Sequence, residues 1–274
     1  WAAEMMHSRA ISRALFAFAM LYLAFLYIPV LLLPLFSFND NVYVAFPLKG
    51  FTFKWYRSLA ANQPLVDAFL ASVKVGLVVS AVSTVLGMLA AMAMTRYDFP
   101  GKRALTSLIM VPLVIPYIIL GVSLLVLARQ ALGINLSLWT IGLSHVLVCV
   151  PLAMLVLMAR LEGFDKSLEE ASFDLGEGAW RPFWRITLPL PVPGIISSFL
   201  LCFSTSFDEF VLAFFLSGTE PTLPIYMYSL LRFPSKVPGT LALASCILMG
   251  SIVVIVFSEW YRRRGVEAKQ GSIV

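Results

Sequence analysis

The chain has 274 residues, of which 60% are hydrophobic and only 13% charged, and it carries a formal net charge of +5. Soluble globular domains are about half apolar and about one quarter charged, so this composition excludes an ordinary soluble protein and places the chain in a lipid bilayer. The basic surplus is expected at the membrane surface, and no basic patch typical of nucleic-acid binding stands out.

Six stretches are apolar and long enough to cross a bilayer as α-helices, which takes about 20 residues each. They lie at about 14–36, 70–95, 104–128, 139–159, 193–216 and 237–258. The predicted fold is therefore all-α: a polytopic membrane protein with six transmembrane helices in a single domain over residues 1–274. The first stretch is interpreted as a true span, because its apolar run exceeds the roughly 7–15 residues of a signal-peptide core.

The distribution of Lys and Arg orients these spans. With both termini on the cytoplasmic side, thirteen Lys and Arg residues fall inside and six fall outside. The positive-inside rule favours this orientation. It predicts a cytoplasmic loop at residues 160–189 and outward-facing segments at 37–67 and 217–236.

Small residues recur at close to helical spacing along the second span, and they predict a close approach of neighbouring helices rather than a binding site. The set is Gly76, Ser80, Ser83, Gly87, Ala90 and Ala91. Pro112 and Pro116 lie inside the third span, where each removes a backbone hydrogen-bond donor and bends the helix. Two interpretations of the bend stay open: a helix that lines a changing pathway, and ordinary packing within a bundle.

His145 is a lone histidine among apolar residues of the fourth span. A helix-packing histidine with satisfied nitrogens is favoured over a proton relay. The three cysteines fall within predicted spans and are interpreted as small apolar residues. Since no H-E-x-x-H, G-x-S-x-G or C-x-x-C motif occurs, the sequence predicts no metal site and no catalytic residue.

The predicted cytoplasmic loop at residues 160–189 holds six acidic and four basic residues. Ser167 and Glu170 have the spacing of a capping box, so a short helix is predicted to begin at Ser167. Gly176 is suited to end that helix, and a second, aromatic turn follows it. Because the inner leaflet is anionic, a net-acidic loop favours docking on a basic protein surface over resting on the membrane.

Within this loop, Glu170-Ala171-Ser172, Gly176 and Ile186-Thr187-Leu188-Pro189 resemble the EAA loop of ABC importer permeases. The resemblance implies a non-catalytic membrane subunit whose loop binds a separate ATPase, with Glu170 and Gly176 at the contact. The implied coupling residues are Glu169, Glu170, Ala171, Gly176, Trp180 and Phe183. The chain has no G-x-x-x-x-G-K-[ST] phosphate loop, so no cofactor is expected on it, and ATP with Mg²⁺ is expected on the partner ATPase.

Asp208 and Glu209 form an acidic pair inside the fifth span, where each charge is costly and is expected to face water or the interior of a bundle. Thr205 and Ser206 add polar groups beside the pair, and Lys74 of the second span lies at a similar depth. In one interpretation these residues line a pathway in which the carboxylates hold a cationic substrate. In the other, Lys74 bridges to one of the acids and the pair is structural.

The segment Ser206-Phe207-Asp208-Glu209-Phe210 also resembles the S-F-D-[DE]-F segment of spermidine/putrescine-type permeases. This resemblance implies a bacterial inner-membrane permease that forms half of the translocation pathway for a polyamine such as putrescine or spermidine. The implied partners are an ATPase dimer, a second homologous permease subunit, an extracytoplasmic substrate-binding protein and membrane lipid.

Three alternatives to a polyamine importer remain at this point. The first is an ABC permease for an opine or an amino-acid-like solute. The second is an ion-coupled secondary transporter, which also places acids within spans but has no need of the EAA-type loop. An intramembrane aspartyl enzyme is disfavoured, because adjacent residues of a continuous helix point about 100° apart and make a poor catalytic dyad.

Overall fold

The computed structural model describes residues 2–162 and 191–270. Over these ranges most of the chain is helical, and its one extended pairing is an isolated antiparallel bridge between Asn39 and Phe51. The predicted all-α fold is thereby confirmed. The coupling loop predicted at residues 160–189 falls almost entirely outside the described residues.

Ten α-helices run through the described part of the chain. In order they are α1 (Ala2–Ser37), α2 (Lys54–Ala60), α3 (Gln63–Arg96), α4 (Lys102–Val114), α5 (Tyr117–Val126), α6 (Leu138–Leu161), α7 (Val192–Asp208), α8 (Val211–Leu216), α9 (Leu223–Leu231) and α10 (Val237–Gln270). A π-helical turn, Leu127–Ala131, extends α5, and a 3-10 turn, Pro234–Lys236, precedes α10. The chain divides into two compact units, residues 1–63 with 229–274 and residues 64–228. The single transmembrane domain expected from the sequence stays a prediction.

In the first unit, α10 packs against both α1 and α2. The side chains of α1 are all exposed from residue 11 to residue 30, which suits an apolar helix surrounded by lipid. Aromatic rings gather in the segment that follows α1. Phe38 stacks on Phe51 with ring centroids 4.8 Å apart and on Tyr56 with centroids 5.0 Å apart. These contacts fold the segment back toward α2.

The central helix of the second unit is α6. Its residues Ile141 and Cys149 are buried with side chains from α3, α7 and α8. Met154 joins a second cluster with methionines of α3, and Val148 joins a third with α5 and α8. In a bilayer such helix contacts are stabilised by close van der Waals packing. Residues on α6 therefore set the positions of four neighbouring helices.

Two glycines of α3 allow neighbouring helices to approach closely. A Cβ atom built on Gly87 would lie 2.5 Å from the Cβ of Ala153 and 2.9 Å from the backbone nitrogen of Met154. A Cβ atom on Gly76 would lie 3.0 Å from the ring of Phe203. The interpretation of the small residues as a packing surface is confirmed at these two positions.

Four helical stretches among the described residues are apolar and long enough to cross a membrane: Ile11–Ser37, Gln63–Arg96, Leu138–Leu161 and Pro234–Val253. The pair α4 and α5 adds a fifth that is bent by 100° just before Tyr117. The predicted bend is confirmed at Pro116, which supplies no backbone donor there. At Pro112 no break occurs, because α4 continues through this residue to Val114. With 17 residues α7 is a shorter apolar helix, so the count of six spans stays a prediction.

Candidate functional site

The predicted fifth span is interrupted at its acidic pair. Asp208 is the last residue of α7, and Glu209 adopts an extended conformation with φ −70° and ψ 113°. Val211 then begins α8. The expectation that Asp208 and Glu209 follow each other on one continuous helix is therefore wrong. The interruption is called the α7–α8 break below.

The α7–α8 break is stabilised by the side chain of Glu209. Its Oε1 accepts a hydrogen bond from the backbone N–H of Leu212 at 2.7 Å. The first backbone N–H groups of a helix have no acceptor within the helix. A carboxylate can accept their hydrogen bonds when its residue lies just before the helix in a non-helical conformation, as Glu209 does. Glu209 lies one residue before the N-cap position, Phe210, and its carboxylate caps the first turn of α8, which is a physical reason for a new helix to begin there.

Asp208 lies on an exposed face of α7. Ser204, one turn earlier, and Leu200, a further turn earlier, are exposed on the same face. Thr205 is half-buried. Among the residues that the structure describes, the Asp208 carboxylate has no hydrogen bond and no ion pair. The two acids thus differ within the described part of the chain: Glu209 binds a backbone N–H group, and Asp208 does not.

Ser206 points away from this exposed face. It is 4% exposed, and its hydroxyl lies 2.8 Å from Nδ1 of His145 on α6. The structure therefore does not bring Ser206 to the surface that carries Asp208. Nε2 of His145 is buried without a hydrogen-bond partner among the described residues. The expectation of a fully satisfied packing histidine holds for only one of the two ring nitrogens.

Small residues of α7 pack against α6 in one antiparallel register. The buried residues of α7 recur every four positions: Gly194, Ser198, Cys202 and Ser206. Ser206 contacts His145, and Cys202 contacts Cys149, four residues further along α6. Each of these two thiols lies against the other residue's backbone carbonyl, with sulfur–oxygen distances of 3.5 and 3.8 Å. Such matched steps of four residues are typical of interlocking ridges on two helices.

The same helix α6 also holds α8. The hydroxyl of Thr140 donates a buried hydrogen bond of 2.8 Å to the carbonyl of Leu216, the last residue of α8. On its other side α8 packs closely on α5, where a Cβ atom at Gly121 would lie 2.7 Å from the ring of Phe215. Side chains of α6 therefore contact the chain on both sides of the α7–α8 break.

Lys74 is exposed and lines a cavity of about 440 Å³. Asp67 and Glu220 contribute carboxylates to the same cavity, whose remaining lining residues are Pro64, Ala68, Leu70, Ala71, Leu138, Thr219, Pro221 and Tyr226. Within the described part of the chain, Lys74 forms no ion pair with Asp208 or Glu209. The alternative in which Lys74 neutralises the acidic pair thus has no supporting contact there.

The predicted coupling residues all lie outside the described residues. They are Glu169, Glu170, Ala171, Gly176, Trp180 and Phe183. Their role stays a prediction. The segment that contains them connects the end of α6 to the start of α7, the two helices that meet beside the acidic pair.

Two structural roles were missed by reasoning from the sequence. The first is the cap supplied by Glu209, for which an acidic residue directly before the apolar run 210–216 is a usable signal. The second is the contact of His145 with Ser206. The recurrence of small residues every four positions from Gly194 to Ser206 indicates a tight helix interface, but it does not identify the partner helix.

Residues 83–265 match the protein family described as binding-protein-dependent transport system inner membrane component. The spermidine/putrescine transport system permease protein PotC of Haemophilus influenzae is 35% identical over 249 residues, which cover 90% of this chain and 96% of the relative. The putrescine transport system permease protein PotI of Escherichia coli K12 is 36% identical over 244 residues, which cover 86% of each chain.

A solved structure shares the fold. It is a chain of the bacterial alginate ABC transporter in complex with alginate pentasaccharide-bound periplasmic protein. The two chains superimpose with a TM-score of 0.71 at 18% sequence identity, and the superposition covers 93% of this chain and 96% of the other. At this level of identity the similarity concerns the fold alone.

Proposed function

Because the chain belongs to the family of binding-protein-dependent transport system inner membrane components, we propose that it forms half of the translocation pathway of an ATP-driven importer for polyamines. Family membership makes the chain a multi-pass inner-membrane permease subunit. The relatives named for spermidine and putrescine transport support a polyamine as the substrate. The observation that carries the proposal on the molecule itself is the exposed carboxylate of Asp208 at the α7–α8 break.

Asp208 is proposed to contact the amines of the substrate. A carboxylate that accepts hydrogen bonds from an ammonium group makes a strong, charge-assisted interaction, yet one that exchanges readily in a hydrated pathway. Among the described residues no protein cation competes for this carboxylate. Glu209 is proposed to add negative charge nearby while it caps α8. Thr205 extends the polar lining, and Lys74 adjusts the charge of the cavity that it shares with Asp67 and Glu220.

The loop at residues 160–189 is proposed to connect the permease to its ATPase dimer. Its net-acidic composition favours a basic protein surface over the anionic leaflet. Glu170 and Gly176 are proposed to lie at that contact. A second homologous permease subunit would complete the pathway, and an extracytoplasmic binding protein would deliver the substrate. No nucleotide site is proposed on this chain.

Uptake into proteoliposomes tests the proposed function. The chain is reconstituted with its permease partner and ATPase, and the binding protein is added outside. Labelled putrescine or spermidine is expected to enter only when ATP is present, and a protonophore is expected to leave the rate unchanged. Uptake that follows an ion gradient without ATP would instead identify a secondary transporter. Failure of polyamines to compete with an opine or an amino-acid-like solute would reassign the substrate.

The proposed orientation, with both termini in the cytoplasm, predicts a labelling pattern. A cysteine placed at Asn41 should react with an impermeant maleimide added outside intact cells, and one placed at Glu177 should not. Cys246 is exposed and is first changed to serine, whereas the buried Cys149 and Cys202 are kept. Each variant is also labelled after the membrane is made permeable. A cysteine that reacts only after this treatment lies on the cytoplasmic side. The reverse pattern would overturn the orientation.

A further inference from the structure

His145 lies on the side of α7 that faces away from Asp208, and we infer that it is a positioning residue for this carboxylate. The inference rests on the proposed function, in which Asp208 contacts the substrate. Residues two apart on a helix point about 200° from each other, so Ser206 faces α6 when Asp208 faces outward. His145 makes no contact with Asp208 itself. It acts through Ser206, by fixing where α7 lies along α6.

Shape fixes the position of α7 along α6 at Gly194, where a Cβ atom would lie 2.7 Å from Cγ of Arg160, but much less over the rest of the packed surface of α7. Its buried residues from Gly194 to Ser206 are all small and recur every four positions. A slip of four residues, about 6 Å along the axis, would again place small residues against α6 in the middle of this row. Helices are known to move past one another by one turn in this way. Such a slip would carry Asp208 about 6 Å from its place.

The contact between His145 and Ser206 distinguishes one register from the next. Nδ1 and the hydroxyl oxygen are 2.8 Å apart, and both residues are buried at 2% and 4% exposure. A slip of one turn would present Cys202 or Phe210 to the imidazole in place of Ser206. A thiol is a weak hydrogen-bond partner and a phenyl ring offers no hydroxyl, so the contact would be lost.

His145 does more than fill space in the helix interface. Its Nε2 has no hydrogen-bond partner among the described residues. A buried polar atom without a partner is unfavourable, and an apolar side chain of similar volume would avoid it. What the imidazole adds to packing is therefore the hydrogen bond between Nδ1 and the hydroxyl of Ser206. Ser206, which makes this bond, lies two residues before Asp208 and three before Glu209.

The test measures ATP-dependent polyamine uptake per assembled complex, together with thermal stability. His145→Leu and Ser206→Ala are each expected to lower uptake about tenfold, and the double variant no further, because both remove one shared interaction. His145→Asn is expected to restore uptake, since its amide reaches the position of Nδ1. Ser206→Ala removes a single oxygen, so it remains informative if His145→Leu fails to assemble. Ser198→Ala, in the same buried row, is the matched control and should leave uptake unchanged.

The decisive measurement repeats His145→Leu in a chain that also carries Asp208→Asn and Glu209→Gln. If His145 acts through the carboxylate, His145→Leu lowers uptake no further in the chain in which both acids are neutralised. An equal further loss there, or a loss of stability with uptake per complex unchanged, would make His145 a packing residue and overturn the inference. If neutralising the acids lowers uptake but His145→Leu does not, only the inference fails. If neutralising the acids has no effect, the proposed role of Asp208 fails, and the inference fails with it.

Discussion

Replacement of Gly176 by tryptophan should abolish ATP-dependent uptake while the permease still reaches the membrane. Gly176 stands between two short helices predicted in the cytoplasmic loop, at the position that the EAA-type pattern assigns to the ATPase contact. Only glycine accommodates a left-handed backbone without steric cost, and a large side chain there would separate the two surfaces. The measurement is uptake together with ATP hydrolysis by the reconstituted complex.

Gly163→Trp is the matched control for this experiment. It places the same side chain in the same predicted cytoplasmic segment, outside the EAA-type pattern, and should preserve more than half of the uptake. The amount of ATPase that co-purifies with each permease variant is also measured. A loss of co-purified ATPase indicates lost docking, whereas a normal amount with no uptake indicates lost coupling. Normal transport by Gly176→Trp with its ATPase attached would show that the coupling assignment is wrong.

Neutralisation of Asp208 and Glu209 together, as Asn and Gln, should lower polyamine uptake about 10- to 100-fold. A hydrogen bond to a charged group contributes about 1.5–3 kcal/mol, and the substrate would lose at least one. The single change Asp208→Asn should account for most of the loss, because Glu209 is already bonded to the backbone of α8. Asp98→Asn is the control: it removes an exposed carboxylate that pairs with Lys102 away from the proposed pathway.

Stability measurements on the same variants separate capping from transport. Glu209→Ala should destabilise the subunit by about 1 kcal/mol through loss of the cap, whereas Glu209→Gln keeps an acceptor and should cost little. Lys74→Met should leave uptake intact or change the preference among amines, since it makes the cavity more negative. Lys74→Met could instead be strongly destabilising, with stability recovered when Asp208→Asn and Glu209→Gln are added to it and with uptake unchanged in all of these variants. In that case the acids form a salt bridge with Lys74 rather than a pathway.

Hydropathy and proline chemistry were sufficient to predict the long helices and the bend at Pro116. The apolar runs that form α1, α3 and α6 exceed the thickness of a bilayer without interruption, and a missing backbone donor acts locally. The helical content and the bent third span therefore followed from the sequence. The small residues at Gly76 and Gly87 also indicated a close helix contact before the partner helix was known.

The α7–α8 break could not be predicted in the same way. Apolar residues flank the acidic pair on both sides, so hydropathy over a long window indicates one continuous span. Whether Glu209 stays on the helix or caps the next one depends on backbone groups of residues that follow it. The contact of His145 with Ser206 depends on how α7 lies along α6, which is a tertiary property. The sequence identified the two acids as important, and the structure separates their roles.

The end of α7 at Asp208 also has an electrostatic consequence that does not depend on any side chain. The aligned peptide dipoles of a helix place roughly half an elementary negative charge at its carboxyl end. Because α7 stops at Asp208 rather than continuing to Leu216, this partial charge lies within the predicted membrane segment, beside the carboxylate. Backbone carbonyls cannot be neutralised by mutation. The positive amino end of α8, which begins at Val211, lies beside the carboxyl end of α7 and offsets much of this charge. A permease with both acids replaced should therefore lose most of its preference for cations over neutral solutes of the same size, which would assign that preference to the carboxylates.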